Sequence, residues 1–184
     1  MPKSWMKRPG TNENVSGTAY QENDYLIAAE TGYFNQQKNA GTVQLYTEGG
    51  NLILSESIKE LSDLDPTLIK AMSIQESHAG TTGTVDIMQV NAKGDWDDTK
   101  TKYGLEKEKS VSSKSESVIK GIRRLGTKGF KGGVTYDKKT GKSTYTFQGW
   151  GSATNSYNGG GVPNYQEHVE QMVNESKTFT TSDY

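Results

Sequence analysis

Apolar residues in this chain come in short periodic stretches separated by runs of Gly, Ser, Thr and Asn. The clearest stretch is 65–80, where Ile69, Met72 and Glu76 stand at i, i+3 and i+7, on one face of a helix. Asp65 is placed to cap the free amides at its start, and Pro66 takes the first helical position, where a missing N–H costs nothing. Gly80 supplies permissive backbone for the stop. Just before it, residues 55–64 put Ile58 and Leu61 on an inward face, so the two segments predict a helical hairpin. Val118, Ile119, Ile122 and Leu125 recur at helical spacing within 115–125. Residues 148–158 read as a further helix, stopped by the three glycines at 159–161, and 165–174 as the helix that closes the fold.

The period changes to two at 134–136 and 144–147, which flank a polar 137–142 and predict a β-hairpin forming a lip beside a cleft. Residues 42–46 and 52–54 around Gly49-Gly50 also have the look of a short hairpin, with 52–54 alternatively leading into the next helix. Within 19–38, Tyr20, Tyr25, Leu26, Ala29 and Tyr33 form one helical face, interrupted by Gly32. Residues 1–18 lack periodicity and read as a flexible leader without chemistry; 93–114 reads as a solvated, charged surface. Residues 81–85 form a loop, from which 86–90 returns, strand-like, across a cleft floor.

A length of 184 residues is that of one domain. With 31% hydrophobic residues and 21 glycines the chain is polar, so the expected core lies after about residue 55. That divides it into a polar extension over 1–50, a catalytic domain over 51–174 and a polar tail over 175–184. A formal net charge of -1 with mixed signs offers no field for nucleic acid or an anionic membrane. The basic start has no apolar run behind it, and nowhere do 18 apolar residues follow one another, so neither a Sec signal nor a membrane span is expected. With no cysteine, and His78 and His168 the only histidines, no metal site or cofactor is implied. Thr140-Gly141-Lys142-Ser143 is not a phosphate loop, because Tyr136 stands where that motif needs its first glycine.

Glu76 stands out as a carboxylate at the inner end of an apolar stripe, where desolvation raises a pKa and makes a general acid; the plainer reading turns it out to water. The words around it add to this. Glu76-Ser77-His78-Ala79-Gly80, then Asp86-Ile87-Met88-Gln89-Val90, then Ser156-Tyr157-Asn158-Gly159-Gly160 with Tyr165, resemble in content and order the lysozyme-like superfamily, nearest the goose-type lysozymes and next the soluble lytic transglycosylases. The likeness covers roughly residues 55–173. It implies a mostly α, lysozyme-like α+β fold with a small β-hairpin and a groove for glycan. It further implies a muramidase that cleaves the β-1,4 bond between N-acetylmuramic acid and N-acetylglucosamine, with Glu76 as proton donor. Ser77, Gln89, Asn91, Tyr157, Asn158 and Tyr165 are the implied substrate-binding residues.

Inverting hydrolysis needs a second carboxylate about 6.5–9.5 Å from the first, whereas a lytic transglycosylase manages with one because the sugar's own hydroxyl attacks. The goose-type pattern has an aspartate directly after Met-Gln-Val; here that position is Asn91, which cannot act as a base. Asp86 either restores the base from a neighbouring position or caps a turn. Hydrolysis, transglycosylation leaving an anhydro end, and a non-catalytic glycan-binding module therefore all stay open. The expected partners are peptidoglycan strands and, for an antibacterial effector or toxin, an immunity protein. The protein is expected to be a monomer that acts in the bacterial periplasm or wall and is exported by a specialised system or phage-type release.

Overall fold

The computed structural model describes residues 1–3, 5, 7–94, 96–107 and 109–176. It is mostly helical with one small antiparallel sheet among the described residues. In chain order the elements are α1 (Asp24–Ala40), α2 (Ser55–Lys59), α3 (Pro66–Ser77), α4 (Asp97–Lys100), α5 (Lys114–Gly129), β1 (Val134–Asp137), β2 (Lys142–Tyr145), α6 (Trp150–Asn158) and α7 (Tyr165–Ser176). Single 3-10 turns occupy Thr18–Gln21, His78–Gly80 and Thr101–Tyr103. No described helix is long and apolar enough to cross a membrane.

Helix α3 lies at the centre, packed against α1 and α7, while α5 packs against α1 and α6. It begins as its sequence dictates, with the Asp65 carboxylate accepting the Thr67 amide at 2.8 Å and Pro66 in the first turn. Ile69, Ala71 and Met72 are fully buried. In α5 the Ser113 hydroxyl caps Glu116, and Val118, Ile122 and Leu125 line the core. The hairpin pairs Val134 with Tyr145 and Asp137 with Lys142, and Gly141 supplies the left-handed residue in its turn.

The core does not begin at residue 55. Trp5, Val15, Ile27, Phe34, Val43 and Leu45 are buried in the same cluster as Ile69 and Met72, so the first fifty residues are part of the fold. The described part of 1–18 is a strap: Lys7 bridges Asn14, and the Lys3 amide donates to the Thr67 hydroxyl on α3. Helix α1 buries Asp24, Ile27, Thr31, Phe34 and Lys38, whereas Tyr25 and Tyr33 of the expected face are exposed. The buried stripe has ideal spacing but starts and ends in charges. Both charges are paired, Asp24 with Lys70 at 2.8 Å and Lys38 with Asp63 at 2.6 Å and the Leu61 carbonyl at 2.7 Å. Burial pushes the Asp24 carboxyl up and the Lys70 ammonium down, opposed in each by the partner's hydrogen bond and charge.

Other boundaries shift for similar reasons. The helix expected over 55–64 stops at Lys59, because side chains of α1 take over the backbone bonds: Lys38 at Leu61, and Asn35 at both the N–H and C=O of Leu64. Residues 42–54 form a single bridge between Tyr46 and Leu52 in place of paired strands. The 93–114 segment is not merely a solvated surface, since Thr99, Lys100, Tyr103, Leu105 and Val111 are buried. Lys100 places its ammonium on the Ala92 carbonyl at 2.9 Å and on Asp97 at 3.1 Å.

Candidate active site

Helix α3 ends at Ser77, three residues before the glycine expected to stop it. His78 and Ala79 both take left-handed backbone, with φ of 53° and 54°. For side chains with a Cβ this costs about 1–3 kcal/mol each and persists only where the surroundings over-determine it. The surroundings do so here. The His78 N–H closes the helix on the Ile74 and Ser73 carbonyls, Asn23 donates to the Ala79 carbonyl at 2.9 Å, and the Ser77 hydroxyl accepts the Gly80 amide at 3.2 Å. Gly80 is needed for closeness as well as for its φ of 77°, since a Cβ there would lie 2.6 Å from Ile87 Cγ2.

The strap adds a polar clasp to this helix end. Arg8 donates to Gln75 Oε1 at 3.2 Å and pairs with Glu13 at 3.1 Å, and Glu13 meets His78 Nδ1 at 2.7 Å and accepts the Tyr20 hydroxyl. Burial pushes the Glu13 carboxyl up, but hydrogen bonds from His78, Tyr20 and Arg8 outweigh it and hold it below the usual value.

Glu76, half-buried, faces α7. Its Oε1 accepts the hydroxyl of Tyr165 at 2.6 Å. Tyr165 is itself buried, and burial, followed by the neighbouring Glu76 charge, drives its phenol well above the ordinary value, so it remains a proton-bearing donor. Thus the first block and the downstream tyrosine, 89 residues apart, meet at one hydrogen bond.

The 86–90 segment is a series of tight turns, not the strand-like return expected from its sequence. Asp86 organises it: Oδ1 accepts the Val90 amide at 3.0 Å and the Ser117 hydroxyl at 2.8 Å, and Oδ2 accepts the Asn91 amide at 3.0 Å. Gln89 takes a left-handed φ of 49° and returns its Nε2 to the Asp86 carbonyl at 2.8 Å. Arg124 fixes the loop from beneath, donating to the carbonyls of Gln89 and Tyr157, each at 3.1 Å. Its guanidinium lies 4.2 Å from the centroid of the Tyr157 ring.

The remaining expected site residues are placed as struts. Tyr157 is buried and donates its hydroxyl to the Met88 carbonyl at 2.7 Å, so it supports the loop from the core and does not line open space. Ser77 is buried with its hydroxyl 2.8 Å from the Ile87 carbonyl, joining the helix end to the same loop. Asn91 spans from the Glu106 carbonyl to Lys100, and the Asn158 amide closes on both backbone groups of Val162 around the glycine turn.

Arg124, Ser117 and Asn23 were not singled out in the sequence. A signal was present for two of them. Ser117, Gly121, Arg124 and Lys128 recur at helical spacing as a buried small-or-polar stripe on α5, and Gly121 is where Met88 approaches, 2.7 Å from a built Cβ. Against known proteins, no family model, no curated protein and no solved structure matches the chain, so its chemistry is read from the site itself.

Proposed function

We propose that the protein cleaves the glycan strands of peptidoglycan at the β-1,4 bond between N-acetylmuramic acid and N-acetylglucosamine, with Glu76 as the acid that protonates the leaving oxygen. The observation that carries this reading is the Glu76–Tyr165 hydrogen bond at the strained, over-determined end of α3. A half-buried carboxyl, held in one orientation by a buried phenol beside a loop of fixed backbone, has what proton delivery requires: a set direction and a partly desolvated setting.

Hydrolysis is the first reading, and it assigns Asp86 the activation of water. A carboxylate offers about four lone-pair sites; Asp86 has three occupied, leaving one on Oδ2 for a water. The same three bonds favour a second reading. A carboxylate committed to holding a loop is a poor candidate for base, and a one-acid transglycosylase needs none. On either reading the enzyme acts outside the cytoplasm, and as an antibacterial effector it is paired with an immunity protein in the producing cell.

The test is Glu76→Gln, which keeps an acceptor for Tyr165 and removes the transferable proton. Release of soluble muropeptides from purified peptidoglycan should fall by about 10²–10⁴ with an unchanged melting temperature. Turnover equal to wild type would remove Glu76 as the acid, and no release by either protein would leave a binder. Mass spectra of the wild-type products separate the two reactions, because transglycosylation yields ends lighter by one water. Asp86→Asn is a poor discriminator: the amide turns an N–H toward the Asn91 amide and disturbs the loop whichever reaction occurs.

A further inference from the structure

A concavity of about 620 Å³ lies between the 47–52 turn and the hairpin and shares no residue with the Glu76 site. Its size is that of a small-ligand site. One wall carries Glu48, Asn51 and Leu52, and the other carries Val134, Ser143 and Tyr145. The second wall follows from strand register. Val134 and Tyr145 are direct partners and Ser143 lies two residues from Tyr145, so all three share one face of the ribbon. Both walls are firmly mounted. The Thr99 hydroxyl reaches the Thr47 and Glu48 carbonyls at 3.2 and 2.7 Å, and the hairpin base is pressed onto the end of α5, where the Gln148 amide donates to the Gly129 carbonyl at 2.8 Å and a Cβ on Gly129 would overlap the Phe147 ring.

The chemistry of the lining is specific. Glu48 is held between two ammonium groups, Lys128 at 2.5 Å and Lys131 at 4.0 Å, which fix its direction. A fixed carboxylate and an amide facing a half-exposed tyrosine ring suit a pyranose: hydroxyl and acetamido donors bond the carboxylate and amide, and the apolar face of the ring lies on the phenol. Helix α5 supports both the groove and the candidate active site, holding Glu48 through Lys128 and the Gln89 carbonyl through Arg124. Lys128 follows Arg124 by one turn of α5, on the same face, about 5–6 Å further along.

We propose that this groove binds an N-acetylhexosamine unit of the glycan strand away from the bond being cut, with Tyr145 as the platform and Glu48 and Asn51 as the polar anchors. The choice of N-acetylhexosamine rests on the function proposed above; the sugar-binding chemistry rests on the groove alone. The experiment uses the full chain carrying Glu76→Gln and the N-acetylglucosamine tetramer as probe, with calorimetry and chemical-shift mapping. Binding should perturb Tyr145 and Asn51, and Tyr145→Ala or Asn51→Ala should weaken it at least about tenfold. Asn51→Ala is the control for hairpin stability, because that side chain is exposed on the opposite wall. In the otherwise wild-type chain, Tyr145→Ala should raise KM on peptidoglycan several-fold with little change in kcat. No binding of the tetramer, or binding and KM indifferent to both substitutions, overturns the groove and leaves the Glu76 chemistry standing. Binding that depends on Tyr145 in a wild-type protein releasing no glycan ends supports the groove and overturns the cleavage reading.

Discussion

Tyr157→Phe separates a strut from a substrate contact. The change deletes one oxygen and nothing else: the ring stays stacked on Arg124 at 4.2 Å, while the 2.7 Å hydrogen bond to the Met88 carbonyl is lost. Met88 is fully buried, so no water replaces the hydroxyl and the carbonyl is left unsatisfied. Such a loss costs about 1–3 kcal/mol, and for a domain of this size each kcal/mol lowers Tm by about 2–4 °C. The expected drop is therefore about 2–12 °C by calorimetry. Turnover should fall as well, because Met88 and Gln89 belong to the turn that Asp86 and Arg124 hold. A Tm equal to wild type together with a several-fold rise in KM would refute the assignment, since it would mean that the hydroxyl meets ligand and not the Met88 carbonyl.

Stability should also fall in alkali. Burial pushes the Tyr103 phenol up to about 12, despite its bond to Thr127, and drives the Tyr157 and Tyr165 phenols up as well. In the unfolded chain each titrates near about 10. Above that pH the unfolded state loses protons that the folded state keeps, so stability is complete below pH ~10 and declines as pH rises toward ~12, by roughly 3 kcal/mol for Tyr103 alone. Equal urea midpoints at pH 8 and pH 11 would contradict this. Gly129→Ala sets helix propensity against packing: the built Cβ lies 2.0 Å from Phe147 Cε2, in the Phe130–Phe147–Trp150 stack. Alanine gains up to about 1 kcal/mol in a helix, but overpacking at about 1–3 kcal/mol should win, and a raised melting temperature would show that Phe147 moves aside freely.

Legibility in the sequence followed the kind of interaction. Where apolar spacing decides the structure, as in Pro66–Ser77, Lys114–Gly129 and Tyr165–Ser176, the elements were readable to within a few residues. The hairpin was readable for the same reason, from its period of two and the Gly141 turn. What escaped was governed by polar groups whose partners lie far along the chain. Asp24 and Lys38 count as solvated in any hydrophobicity pattern, yet Lys70 and Asp63 make them the two ends of a buried stripe, and so the tyrosines were placed on the wrong face of α1. At the site, Glu76 and Tyr165 could be named from sequence blocks. The bonds that make Tyr157, Ser77 and Asn91 struts could not, because a hydroxyl or amide looks the same in sequence whether it faces a sugar or a buried carbonyl.

The clasp at the end of α3 has a consequence for when the site comes into being. Gln75, next to Glu76, is gripped by Arg8 from 67 positions earlier and reaches Met172 from 97 positions later. Contacts of that span are closed late, after the loop entropy between them has been overcome. A growing chain that has passed α3 still lacks Tyr165, and a refolding chain whose strap is not yet seated lacks the Arg8 and Glu13 contacts to Gln75 and His78. The Glu76–Tyr165 pair is therefore assembled only after residue 165 has been made and the strap is seated, and a nick within the strap should loosen the setting of the distant carboxylate without touching it.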